Sequence, residues 1–116
     1  MSKEFMDCSG LITAAYNLPN RWFTQNEQEL YTYGFINPPV DKSGYKAFAA
    51  SLQVGDVLVW QNILNSDGRG VHGHAALYAG NEHIYHASSK KGVAETSDFI
   101  VYWLPKNGYP NVYRKK

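Results

Sequence analysis

Residues 73–88 read GHAALYAGNEHIYHAS. Two short apolar runs, 73–79 and 83–87, flank Gly80-Asn81-Glu82, which is the pattern of a β-hairpin. The chain has four histidines, and all of them lie between residues 72 and 86. Side chains alternate along a strand, so His72 and His74 share a face, while His83 and His86 point opposite ways. Register decides which of them meet. Facing residues in an antiparallel pair have numbers with a constant sum. An even sum, from a three-residue loop 80–82, sets Ala76 opposite His86 and puts His74 diagonal to His86 on one face. An odd sum, from a two-residue loop, sends the two histidines to opposite faces. His83 sits at the turn and reads as a surface residue. His72 either lies in the preceding loop or contacts a substrate.

Outward from the hairpin, "DVLVW" (56–60), "DFIVYWL" (98–104) and "NVYR" (111–114) are expected as further short strands, with 62–71 a loop. The first half reads differently. Asp7 can cap a helix whose apolar face is Leu11, Ile12 and Ala15 and which stops near Asn17, before Leu18-Pro19. A second helix is expected after a capping-box pattern at Thr24 and Glu27, with Gly34 at its C-terminal end. "FINPPVDKSG" (35–44) reads as a loop and "YKAFAAS" (45–51) as a short helix. Helices come first and an antiparallel sheet follows, so the expected class is α+β.

At 116 residues the chain fits one small domain, 1–116, with one core. A net charge of +1 gives no bulk attraction to nucleic acid or to a membrane surface. No apolar run approaches membrane-spanning length, so membrane insertion is not expected. No apolar segment follows Met1-Ser2-Lys3-Glu4-Phe5, so this start does not read as a signal peptide.

Cys8 is the only cysteine, so an intrachain disulfide is impossible and the fold rests on packing. It sits in "DCSGL" (7–11), at the expected helix start. A thiol is a sluggish nucleophile at neutral pH because little of it is thiolate. The positive end of a helix dipole favours the anion, and a neighbouring imidazole favours it more. The helix start also offers backbone N–H groups to an oxyanion, and Gly10 lets a substrate come close to the backbone. The plainer reading is a buried Cys serving as a small hydrophobe. The histidines weigh against it. In the even register His74 can take the thiol proton, while His86 fixes the tautomer of His74. A zinc site of Cys8, His72, His74 and His86 is the other use of these residues. Structural zinc sites usually show close ligand pairs such as CxxC, and none is present, so neither metal nor cofactor is expected.

Four segments in order, "DCSGL" (7–11), "LQVGDVLVW" (52–60), "GHAALYAG" (73–80) and "IYHAS" (84–88), resemble the NlpC/P60 cysteine peptidases, and "GYPNVYR" (108–114) looks like that family's closing strand. The resemblance implies a papain-like fold, with a helix bearing the nucleophile Cys8 packed on a sheet bearing the base His74 and its orienter His86. It implies hydrolysis of bacterial cell-wall peptides, commonly between D-glutamate and a diamino acid. Asp7 and Ser9 match positions that hold the substrate's amine end, which for Asp7 is a second role behind that of helix cap. Gly10, His72 and Trp22 complete the expected substrate-binding set. Two departures stand out. Few residues precede Cys8, so the Tyr-bearing segment many members carry there is absent from this stretch. Residues 18–50 look like a family-variable insertion, in which Arg21, Trp22, Phe23, Tyr31 and Tyr33 either wall a groove or cover the sheet. Peptidoglycan peptides are the implied partner, with an inhibitor or immunity protein as a further one. The place of action implied is the cell envelope or outside the cell, reached by a non-classical route or as part of a longer chain. A related thiol amidase or acyltransferase acting on another substrate, or a toxin- or phage-delivered lytic domain, uses the same chemistry.

Overall fold

The computed structural model describes residues 8–18, 27–64, 68–88 and 92–116; for residues 8–10, 62, 64, 71–72, 87–88 and 92–94 it describes the backbone alone. The chain runs α1 (Cys8–Tyr16), α2 (Glu29–Thr32), β1 (Phe35–Ile36), α3 (Tyr45–Ala50), β2 (Val57–Leu64), β3 (Val71–Gly80), β4 (His83–Ser88), β5 (Gly92–Thr96), a π-helical turn (Phe99–Trp103), α4 (Leu104–Asn107) and β6 (Asn111–Lys115). Among the described residues six strands form one sheet in the order β1-β6-β2-β3-β4-β5, and each of their pairings is antiparallel. Helices beside one antiparallel sheet make the chain α+β.

α1 ends where Leu18-Pro19 follows. Asn17 takes a left-handed φ of 56°, and the Leu18 N–H returns to the Thr13 carbonyl at 2.9 Å, which closes the last turn. Its inner face is Leu11, Ile12 and Thr13, with Tyr16 half-buried. Ala15, expected inside, is exposed. Tyr16 takes the inward place because its phenol reaches the Gly55 carbonyl and its ring meets Phe35 edge-on, which a methyl group cannot do.

The alternation of β2 and β3 splits the core in two. Val57, Val59 and Ala75 pack with Ile12, Leu30, Phe35 and Tyr113 on the α1 side. Leu58, Trp60, Ala76 and Tyr78 pack with Phe48, Phe99, Leu104 and Val112 on the other. The two clusters are held at one end by Asp56, which is buried. Its carboxylate accepts two hydrogen bonds from Arg114, each at 2.8 Å, and one from the Gln53 N–H at 2.8 Å. The pair ties the start of β2 to the end of β6.

Several sequence expectations give way here. Residues 98–104 are not a strand. Their apolar run has Phe99 and Leu104 buried, Ile100 and Trp103 half-buried and Val101 and Tyr102 exposed, and that spacing belongs to a helix. Pro105 in the first turn of α4 fits the same reading. The stretch after Trp60 continues as strand to Leu64 instead of turning into a loop, because β3 reaches far enough to pair with Ile63 and Leu64 across a bulge. Phe35–Ile36, expected in a loop, joins the sheet beside β6. β5 is a strand that the sequence reading does not include. The second helix is a single turn from Glu29, and the Thr24 part of its capping box lies outside the described residues. Gly34 does follow its C-cap, with φ of 87°.

Candidate active site

β3 and β4 meet through a two-residue turn followed by a register shift. Asn81 and Glu82 are its two central residues, with φ of 53° and 66°, and Gly80 pairs with His83. Both values are positive, as a type I′ hairpin turn requires. Left alone, a two-residue loop gives the odd sum. The register then shifts between Tyr78 and Gly80, and beyond the shift Tyr78 faces Ile84 and Leu77 faces Tyr85. Those pairs have an even sum. One bulged residue has moved His74 and His86 onto the same face. The Tyr78 hydroxyl steadies the turn by accepting the Glu82 N–H at 2.9 Å.

The two imidazoles lie edge to face, with ring centroids 5.4 Å apart. His74 is buried. Trp103 stacks flat on it, with centroids 4.6 Å apart and planes 11° apart, and Trp60, its partner across β2 and β3, meets it at 6.1 Å. Thr96 Oγ1 lies 3.4 Å from His86 Nε2, one diagonal step across β4 and β5. Burial lowers the pKa of His86, and the nearby charge of Asp98 partly opposes that. That balance favours the neutral imidazole of His86, one ring nitrogen of which lies toward Thr96. The Trp60 indole N–H donates to the Gly108 carbonyl at 2.8 Å, which anchors the wall of the site to the loop before β6.

His83 is elsewhere. It leaves β4 on the far side and forms an exposed contact of 2.6 Å with Glu95. The backbone of His72 pairs with Ile63 near the start of β3, two residues from His74. Cys8 is the first residue of α1, followed by Ser9 and Gly10 within its first turn, and α1 packs across both β3 and β4. The side chains of Cys8, Ser9 and His72 lie outside the description, and Asp7, Arg21, Trp22 and Phe23 lie outside the described residues. α1 covers the face of β3 that bears Ala75, whereas His74 leaves the strand on the opposite face, toward Trp60.

Sequence reasoning missed Trp60, Trp103 and Thr96. For Thr96 the sequence carries no signal, because no alternation or turn pattern marks 92–96 as a strand. Trp103 follows only once the run is helical: residues 99, 100, 103 and 104 then share one face, and that face turns toward the sheet.

No curated protein matches the chain. The NlpC/P60 family model matches residues 1–108. That family suggests cell-wall peptidase or amidase chemistry, and the matched span takes in Cys8, both histidine strands and the π-turn. The helix-plus-sheet architecture is consistent with it, and the chain belongs to the NlpC/P60 family.

Proposed function

We propose that the protein is a cysteine hydrolase that cleaves amide bonds in the stem peptides of bacterial peptidoglycan, between D-glutamate and a diamino acid, outside the inner membrane. The observation that carries this reading is the edge-to-face pair of His74 and His86, 5.4 Å apart on two strands crossed by the helix that begins with Cys8. Family membership supports the substrate class.

In this mechanism His74 takes the proton of the Cys8 thiol. The thiolate adds to the scissile carbonyl carbon, and the oxyanion is held by backbone N–H groups at the start of α1. His74 then gives the proton to the leaving amine as the C–N bond breaks, which leaves a thioester on Cys8. Water, deprotonated by His74, attacks the thioester, the C–S bond breaks, and the carboxylate product and the thiol are restored. His86 remains neutral and orients His74.

The test is incubation of the purified chain with defined stem peptides, followed by mass spectrometry for new amines and carboxylates. Cleavage at the D-glutamyl bond, abolished by Cys8→Ala in a folded variant, is the expected result. An intact peptide together with Cys8-dependent acyl transfer to some other amine favours the acyltransferase chemistry instead.

A further inference from the structure

Trp103 has no role in the steps above, yet it touches every aromatic group of the site. Its indole lies face to face with His74 at 4.6 Å, edge-on to His86 at 5.4 Å, and against Trp60 at 5.4 Å. The backbone that delivers it is unusual. The Tyr102 and Trp103 N–H groups both donate to the Asp98 carbonyl, at 2.8 and 3.2 Å, so the turn is one residue wider than an α-helical turn. Such π-turns occur frequently at functional sites. Phe99 and Leu104, both fully buried, pin the two ends of this one, while Val101 is 77% exposed. Trp103, half-buried between these anchors, is the residue that reaches the histidines.

An imidazole on a strand can spin about its last side-chain bond. A parallel indole on one face blocks that motion, because turning the ring drives its edge into the indole. The indole face also attracts a cation, so the stack favours imidazolium over imidazole. Among the described residues, the ionisable groups that the geometry sets beside His74 are His86 on β4 and, acting on His86, Asp98 at the start of the π-turn. His83 and Glu95 are taken up with each other on the other side of β4.

Building on the hydrolase reading above, we infer that Trp103 is a positioning residue: it holds the ring plane of His74 and steadies the imidazolium formed when His74 takes the thiol proton.

The experiment follows the His74 ring signals by NMR through a pH titration in wild type, Trp103→Leu and Trp103→Phe, with kcat and KM measured on a stem peptide alongside. In Trp103→Leu the His74 midpoint is expected to fall by about half a unit or more, the shift that a cation–π contact of modest strength implies. kcat is expected to fall roughly tenfold with KM nearly unchanged, since ring placement affects the reacting geometry more than binding. Trp103→Phe keeps an aromatic face and should restore most of both. A folded Trp103→Leu protein with an unmoved His74 midpoint overturns the inference. Should that variant fail to fold, the wild type still decides: without contact signals between the Trp103 indole and the His74 ring, the inference is wrong. A wild type that cleaves no wall peptide defeats the hydrolase reading, while the titration still decides the part played by the tryptophan.

Discussion

At the scale of single residues, the site is a division of labour between two imidazoles in different surroundings. His74 is stacked and buried, whereas His86 is half-buried and its pKa is lowered by that burial. A neutral His86 can hold a tautomer without competing for the proton. His86→Asn keeps a hydrogen-bonding group at that place and should retain far more activity than His86→Ala. His74→Ala should cost about a thousandfold, within the range for loss of a general base. Equal losses for Asn and Ala at His86 would argue against an orienting role. The same burial has a consequence for stability. Because the folded state resists protonation of His86, the unfolded chain binds more protons just below the ordinary histidine pKa of about 6.5. This residue's contribution is present above that pH and is lost as the pH falls through its lowered folded value. Urea midpoints between pH 7 and 5 should show that loss in wild type and a smaller one in His86→Gln. A wild-type midpoint that rises toward pH 5 contradicts the assignment.

At the scale of elements, the hairpin turn decides whether a site exists at all. Glu82 holds a left-handed φ of 66°, which strains a residue that has a Cβ. Glu82→Gly should stabilise the protein by about 0.5–1 kcal/mol, the relief of strain exceeding the entropy that glycine adds to the unfolded chain. A urea melt measures it, and a destabilised variant would contradict the strained-turn description. The hairpin also marks how far the sequence could be read. Gly80-Asn81-Glu82 announced a turn, and the four histidines announced that register mattered. The bulge between Tyr78 and Gly80 was not legible, because alternating apolar residues look the same in either register. DFIVYWL was misread for a related reason: a short apolar run carries no period, and only the sheet beside it selects the face. The strands from GHAALYA and HIYHA, the short helix at 45–50 and the closing strand were legible because turn residues bound them.

At the scale of the whole molecule, the C-terminal strand is structural. β6 lies between β1 and β2, and Arg114 on it meets the buried Asp56 with two hydrogen bonds of 2.8 Å. On the far edge of the same strand pair, Glu27 accepts from Asn111 and Tyr113 of β6 and from Gln61 of β2, which fixes the approach to α2. Arg114→Met leaves a buried carboxylate without its cation and should cost about 3 kcal/mol or more in a urea melt; a change under about 1 kcal/mol would mean the pair is dispensable. Because Phe35–Ile36 pairs with β6, part of the 18–50 segment belongs to the sheet itself. The proposed function sets a test at the level of the cell. A wall hydrolase harms a bacterium only where the wall is, so the chain should be tolerated in a Gram-negative cytosol. Fused to an export signal it should cause rounding and lysis that Cys8→Ala cancels. Cys8-dependent toxicity confined to the cytosol would point to an intracellular substrate. The central claim, that Cys8 is a nucleophile activated by His74, is tested most directly by the rate of iodoacetamide labelling of the native protein across pH. With one cysteine in the chain, every thiol adduct reports Cys8. The account predicts fast labelling at neutral pH, with the pH profile displaced upward toward an ordinary thiol in His74→Ala. A thiol that labels only after denaturation, or whose profile is the same with and without His74, would contradict it.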